Sequence, residues 1–207
     1  MNKLNLLYIA PVSSQSGYGH HAADIARAII KSDKYNVTVI ATQWGMTPNS
    51  ALNEKNENDK IIIDRLLKSN LNSQPDILVQ LGLPTEFNPI AKYNIGITAG
   101  VETNLCSPQF IEGMNKMQLV IVPSNFIKQV FEISSYNKMN KYTNQIEGIL
   151  KCEVPIEVLF EGADIEVYKK TNEIHKDILD EINKIPENFL FLFVGHWLQG
   201  TLGNDRK

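Results

Sequence analysis

Short apolar runs of strand length recur along this chain, separated by segments with helical spacing, and that alternation leaves few folds open. LNLLYIA (4–10) is continuous and stops at Pro11, the pattern of a strand buried on both faces. Apolar residues then recur at helical intervals from Ala22 to Ile30. NVTVIATQ (36–43) is β-branched and reads as the second strand. A polar loop, MTPNSALNEKNEN, leads to a short amphipathic helix in DKIIIDRLLKSN. DILVQLG (76–82), YNIGITAG (93–100) and QLVIVPS (118–124) predict three more strands. Between the last two, SPQFIEGMNKM opens with the Ser-Pro of a helix start, and NFIKQVFEIS follows the fifth strand as another helix. A polar insert, SYNKMNKYTNQIEGILK, precedes VPIEVLFEGAD (154–164), a sixth strand ending at a turn. TNEIHKDILDEINKI (171–185) places Ile174, Ile178, Ile182 and Ile185 on one helical stripe and stops at Pro186. The pattern predicts an α/β fold: an open, doubly wound, Rossmann-like parallel sheet with right-handed crossovers and helices on both faces. Ligands of such sheets bind outside the carboxyl ends of the strands, where segment 11–21 leaves strand one.

FLFLFVGHW (189–197) opens a further apolar strand with no helix after it. Its large side chains represent on the order of 10 kcal/mol of burial, so it needs a sheet to join. It either adds to the first sheet as an edge or begins a second α/β domain, and the second reading is adopted here. The expected organisation is an acceptor-side domain at 1–165, a hinge and linker helix at 166–188, and the first strand and loop of a truncated domain at 189–207.

With 207 residues and 43% hydrophobic content, the chain can bury a substantial core. A net charge of -3 without a basic cluster argues against nucleic-acid partners. Cys106 and Cys152 lie far apart without a CxxC pattern, which fits two thiols in a reducing compartment. The N-terminal run is too brief for a signal peptide, and no stretch reaches the roughly 18–20 apolar residues of a membrane span. A cytoplasmic protein is expected.

The patch between strand one and its helix, SSQSGYGHHA, is the chemically distinctive segment. It matches G-x-G-x-x-A, but PVSSQS separates Ala10 from Gly17, and Thr42-Gln43-Trp44 replaces the acidic residue that would hold a ribose. A dinucleotide site is therefore disfavoured. Gly17 and Gly19 let a ligand approach the main chain at a helix N-terminus, where N–H groups and the dipole favour phosphate. The bland alternative is a plain loop capped by Ser16. His20 and His21 diverge by about 100° on a helix, so one faces the crevice and the other solvent. Trp44 reads as a packed rim aromatic rather than a stacking platform. Cys106 has no identifiable base partner, and Asp164 reads as a turn residue.

The glycine loop entering ADIARAI, then GITAGVETNLCSPQFIEGMNKMQLVIVPSNFIKQVF, PIEVLFEGAD and FLFVGHW…DRK together resemble a retaining GT-B glycosyltransferase of the large family-4 group, also described as glycosyltransferase group 1. The resemblance runs in order over nearly the whole chain. It implies transfer from a nucleotide-diphosphate sugar to a hydroxyl acceptor on a glycan, lipid or protein, with anomeric configuration kept. It also implies a C-terminal domain, missing here, that carries most of the donor site, so this chain alone is expected to be inactive. Gly17 and Gly19 match the loop approaching the donor diphosphate, with His20 beside it. Glu102 falls where the family places a polar residue, often histidine, next to the transferred sugar. Arg206 and Lys207 match the basic pair that neutralises the departing diphosphate. No Asp-x-Asp occurs, in keeping with transfer that needs neither metal nor other cofactor. A nucleotide-sugar epimerase of the same architecture and a non-catalytic α/β binding module are the alternatives.

Overall fold

The computed structural model describes residues 3–140, 142–163, 165, 168–171 and 173–193. Residues divide into two compact units, Met1–Gly162 and Ala163–Lys207.

In the first unit, β1 (Leu4–Ala10), β2 (Tyr35–Ala41), β3 (Ile77–Leu81), β4 (Tyr93–Ile97), β5 (Leu119–Val122) and β8 (Ile156–Val158) form one sheet, ordered β2-β1-β3-β4-β5-β8. Every pairing in it is parallel. Leu66 adds a parallel bridge to Val39 at the outer edge of β2. Counting that bridge, the chain winds outward from β1 to β2 to Leu66, then returns to β3 on the other side of β1 and winds outward again. This reversal makes the fold doubly wound, because right-handed crossovers in opposite directions place helices on opposite faces.

The alternation of side chains sorts the core accordingly. Leu6, Tyr8, Val39 and Val79 pack with α1 (Gly17–Lys31) and Ile62 of α2 (Glu57–Ile63). Leu7, Leu78, Val120 and Val122 point the other way, onto Ile111 and Met114 of α3 (Pro108–Met114) and Val130 and Phe131 of α4 (Asn125–Ile133). Continuous apolar strands are what a sheet covered on both faces requires. The expected α/β class and Rossmann-like parallel sheet are what the structure contains.

Four elements differ from the sequence expectation. The polar insert forms an antiparallel hairpin, β6 (Ser135–Met139) with β7 (Ile146–Lys151). Strand six is shorter than 154–164, because only Ile156–Val158 finds β5 beside it and Phe160 stands 83% exposed. No strand forms over 189–193, where Phe191, Leu192 and Phe193 are more than four-fifths exposed, because no described strand pairs with this run. In the second unit, α5 (Lys176–Ile182) is shorter than 171–185, and the stripe residues Ile174, Ile178, Ile182 and Ile185 are all exposed. Residues 194–207 and Asp164 lie outside the described residues.

Asp76 anchors the start of β3. Its carboxylate accepts from Lys92 Nζ at 2.7 Å and from the Asn5 amide at 3.0 Å. The Lys92 hydrogen bond first, then the Asn5 amide, hold its carboxyl below the ordinary value of 3.8. A lowered carboxylate stabilises the fold above its unfolded-state pKa, and that contribution disappears as pH falls through the folded value. Asp76→Asn is therefore expected to melt below the parent at neutral pH, with the gap closing in acid below about pH 4. Thermal melts of both proteins across that range read it.

Candidate functional site

The switch point lies between β1 and β3, and the loops at their carboxyl ends form the crevice. Ser16 caps α1: its backbone is extended, and its hydroxyl accepts from the Gly19 amide at 3.0 Å. Ser14 is fully buried beneath, sharing hydrogen bonds with Ser16 Oγ at 2.9 Å and Thr47 Oγ1 at 2.5 Å. The loops after β1 and β2 are joined further by Gln15 N donating to the Pro48 carbonyl and Ala51 N to the Ser13 carbonyl. Tyr8, buried in β1, donates its hydroxyl to the Ala22 carbonyl at 2.9 Å and so fixes α1 against the sheet. Burial pushes its phenol well above the ordinary value. The corner is thus held in shape before any ligand arrives.

The two glycines do different things. A Cβ on Gly19 would lie 2.0 Å from the Ser14 carbonyl oxygen, so close approach of the helix to the loop demands glycine there. A Cβ on Gly17 would meet nothing within 4 Å. Gly17 leaves open space at the first residue of a 15-residue helix whose first turn holds no acidic side chain. Dipole and unpaired N–H groups there suit an anion.

Tyr18, between them, links two crevice loops. Its hydroxyl accepts from the Ala99 amide, in the loop after β4, at 3.1 Å. Its ring stacks on Trp44 with centroids 4.0 Å apart and 21° between planes. Trp44 is thus a packed aromatic of the crevice rim. Gly100 turns the same β4 loop with φ +82° and would strike Ile127 if it carried a Cβ. Gly17, Gly19 and His20 therefore sit on one helix start that is bonded to the loop carrying Glu102. The side chains of His20 and Glu102 are exposed. His21, not His20, is the more enclosed of the pair, with Nε2 3.7 Å from Glu161 Oε1. Arg206 and Lys207 lie outside the described residues.

Cys106 is buried, its amide donating to Ser134 Oγ at 3.2 Å, and Cys152 is half-buried. Burial pushes both thiols up, which keeps them protonated at neutral pH. Native protein is expected to resist iodoacetamide at pH 7.5. Mass spectrometry should show carbamidomethylation of Cys106 only after denaturation.

A cleft of about 730 Å³ opens at the opposite, amino end of the strands, lined by Lys3, Asp33, Asn36, Arg65 and Asn70 among others. Two of its charged groups are held within the protein: Lys3 pairs with Asp33 at 2.6 Å, and Arg65 donates one N–H to the Ile61 carbonyl at 2.8 Å. The switch point, with its unopposed helix terminus, is the stronger candidate. Among the described residues no cluster of His, Cys, Asp and Glu could hold a metal ion, and no helix is long and apolar enough to cross a membrane. Neither a protein-family model nor a curated protein sequence matches the chain.

The sequence reading missed Ser14, Tyr18 and Thr47 as builders of this corner. Tyr18 was visible as the large residue between two glycines, but its partner Ala99 donates through the backbone, which no side-chain pattern announces.

Proposed function

We propose that this chain is the N-terminal, acceptor-side part of a retaining GT-B glycosyltransferase, using a nucleotide-diphosphate sugar and a hydroxyl acceptor. The observation that carries the reading is the open space at Gly17, on a pre-shaped helix N-terminus at the carboxyl end of β1. A diphosphate there gains the helix dipole and backbone N–H groups without displacing any side chain. In transfer, the bond from the anomeric carbon to the phosphate oxygen breaks, the acceptor oxygen takes its place, and the acceptor proton is released. Gly17 and His20 border the diphosphate, Gly19 seats the helix start against the Ser14 carbonyl, Glu102 stands on the sugar side, and Arg206 and Lys207 offset charge on the leaving group. The work of such a site is positioning and leaving-group stabilisation.

Titrating a nucleoside diphosphate at millimolar levels into isotope-labelled protein tests this. Weak, saturable amide shifts are expected at residues 15–20 and 98–102. Shifts confined to the cleft at the amino ends, or none at all, would contradict it. Sequencing the gene past codon 207 separates the enzyme from a binding module: a continuing frame with a glutamate pair supports the transferase, a stop codon the module. A product assay distinguishes transfer from epimerisation.

A further inference from the structure

The hairpin β6–β7 is an addition to the parallel sheet that the switch-point chemistry does not use. Its inner face is anchored. Tyr136 donates its hydroxyl to the Cys106 carbonyl, Leu150 is buried, and Asn115 Nδ2 donates to the Lys151 carbonyl at 2.8 Å. Its outer face carries three uncovered apolar side chains beside polar ones: Met139 pairs across from Ile146 and Ile149 from Asn137, and Met139, Ile146 and Ile149 are 50%, 60% and 60% exposed, with Glu147 exposed between the two isoleucines. At the tip Tyr142 is 98% exposed. The tip is a built turn, with Asn140 Oδ1 accepting from the amides of Tyr142 at 2.8 Å and Thr143 at 3.0 Å.

Charge distinguishes this finger from its surroundings. Residues 135–151 hold three lysines and one glutamate, a net +2 in a chain of net -3. Apolar side chains, an exposed tyrosine and flanking lysines are the combination that settles at a bilayer surface, the rings and methyls at the headgroup level and the ammonium groups on anionic lipid. Size argues against a folded protein partner. A ribbon of one five-residue and one six-residue strand presents a face of about 17–20 Å by about 10 Å, far below the ~800 Å² per side of a stable protein interface. The bulge between Lys138 and Met139 also disturbs the strand edge that a second copy would extend.

We propose that the β6–β7 hairpin docks this protein onto anionic membrane surfaces, inserting Tyr142, Met139, Ile146 and Ile149 at the interface. The inference stands apart from the glycosyltransferase reading. Co-flotation of the whole chain with vesicles tests it, using phosphatidylcholine alone or mixed with phosphatidylglycerol. Binding is expected to the mixed vesicles only and to fall with added salt. The variant Tyr142→Ser/Ile149→Ser should bind roughly tenfold more weakly, and Lys138→Glu should bind more weakly too. All three positions are exposed, so the variants should keep the parent's circular dichroism and melting temperature. No binding to the mixed vesicles, equal binding to neutral ones, or undiminished binding by the double variant would overturn the proposal. So would a dimer in sedimentation that the double variant dissolves, since the face would then serve a second copy.

Discussion

Gly19→Ala is expected to lower the melting temperature by about 4–8 °C, although helix propensity alone predicts a rise. In a helix interior alanine is favoured over glycine by about 1 kcal/mol. Here the added methyl carbon would sit 2.0 Å from the Ser14 carbonyl oxygen and 2.8 Å from its carbon. Those are backbone atoms of a buried loop, held by the Ser14–Ser16 and Ser14–Thr47 hydroxyl bonds, so they cannot swing aside as a long side chain would. Overpacking of this kind costs about 3 kcal/mol, leaving a net loss of about 2 kcal/mol. For a domain of this size each kcal/mol moves the midpoint by about 2–4 °C. A thermal melt followed by circular dichroism decides the sign. A rise would show that the helix and loop are farther apart than described.

Gly113→Ala makes the same argument on the opposite face of the sheet, with a larger expected loss. Its Cβ would meet the Pro84 carbonyl oxygen at 1.8 Å and the Pro84 carbon at 2.4 Å. Pro84 opens the short 3-10 turn Pro84–Glu86 after β3, and α3 packs directly upon it. The turn cannot recede, because Gln80 bridges it from inside, donating to the Glu86 carbonyl at 2.8 Å and accepting from the Asn88 amide at 2.9 Å. A loss of about 3 kcal/mol, or about 6–12 °C, is expected. Gly148→Ala is the control, since nothing lies within 4 Å of its Cβ and its melting temperature should hold.

Much of the architecture was legible in residues 4–122, because a strand buried on both faces must be apolar throughout and the connecting helices must be periodic. The reversal at β1 was not legible in full. Leu66 reads as the tail of a helical segment, yet it closes the sheet beside Val39. The hairpin was hidden by lysines and asparagines, which populate a solvent-facing ribbon and depress any strand signal. The run from Phe189 shows the converse: strong β character gives no strand without a neighbour to receive its backbone hydrogen bonds. At the site, the glycines were visible and their division of labour was not. Gly19 is required by the Ser14 carbonyl, whereas Gly17 is unconstrained by packing, and only three-dimensional distances separate the two cases.

Gly17→Glu separates folding from binding with opposite signs. A carboxylate at the N-terminus of α1 favours the helix by about 0.3–1 kcal/mol, so the protein should melt at or slightly above the parent temperature. The same charge occupies the open corner and repels a diphosphate. Calorimetric or chemical-shift titration of a nucleoside diphosphate into parent and variant, side by side, should show weak binding by the parent and none by the variant. A pyrophosphate half-site cannot survive an acid planted within it: if the variant takes up the nucleotide as well as the parent does, the ligand lies elsewhere.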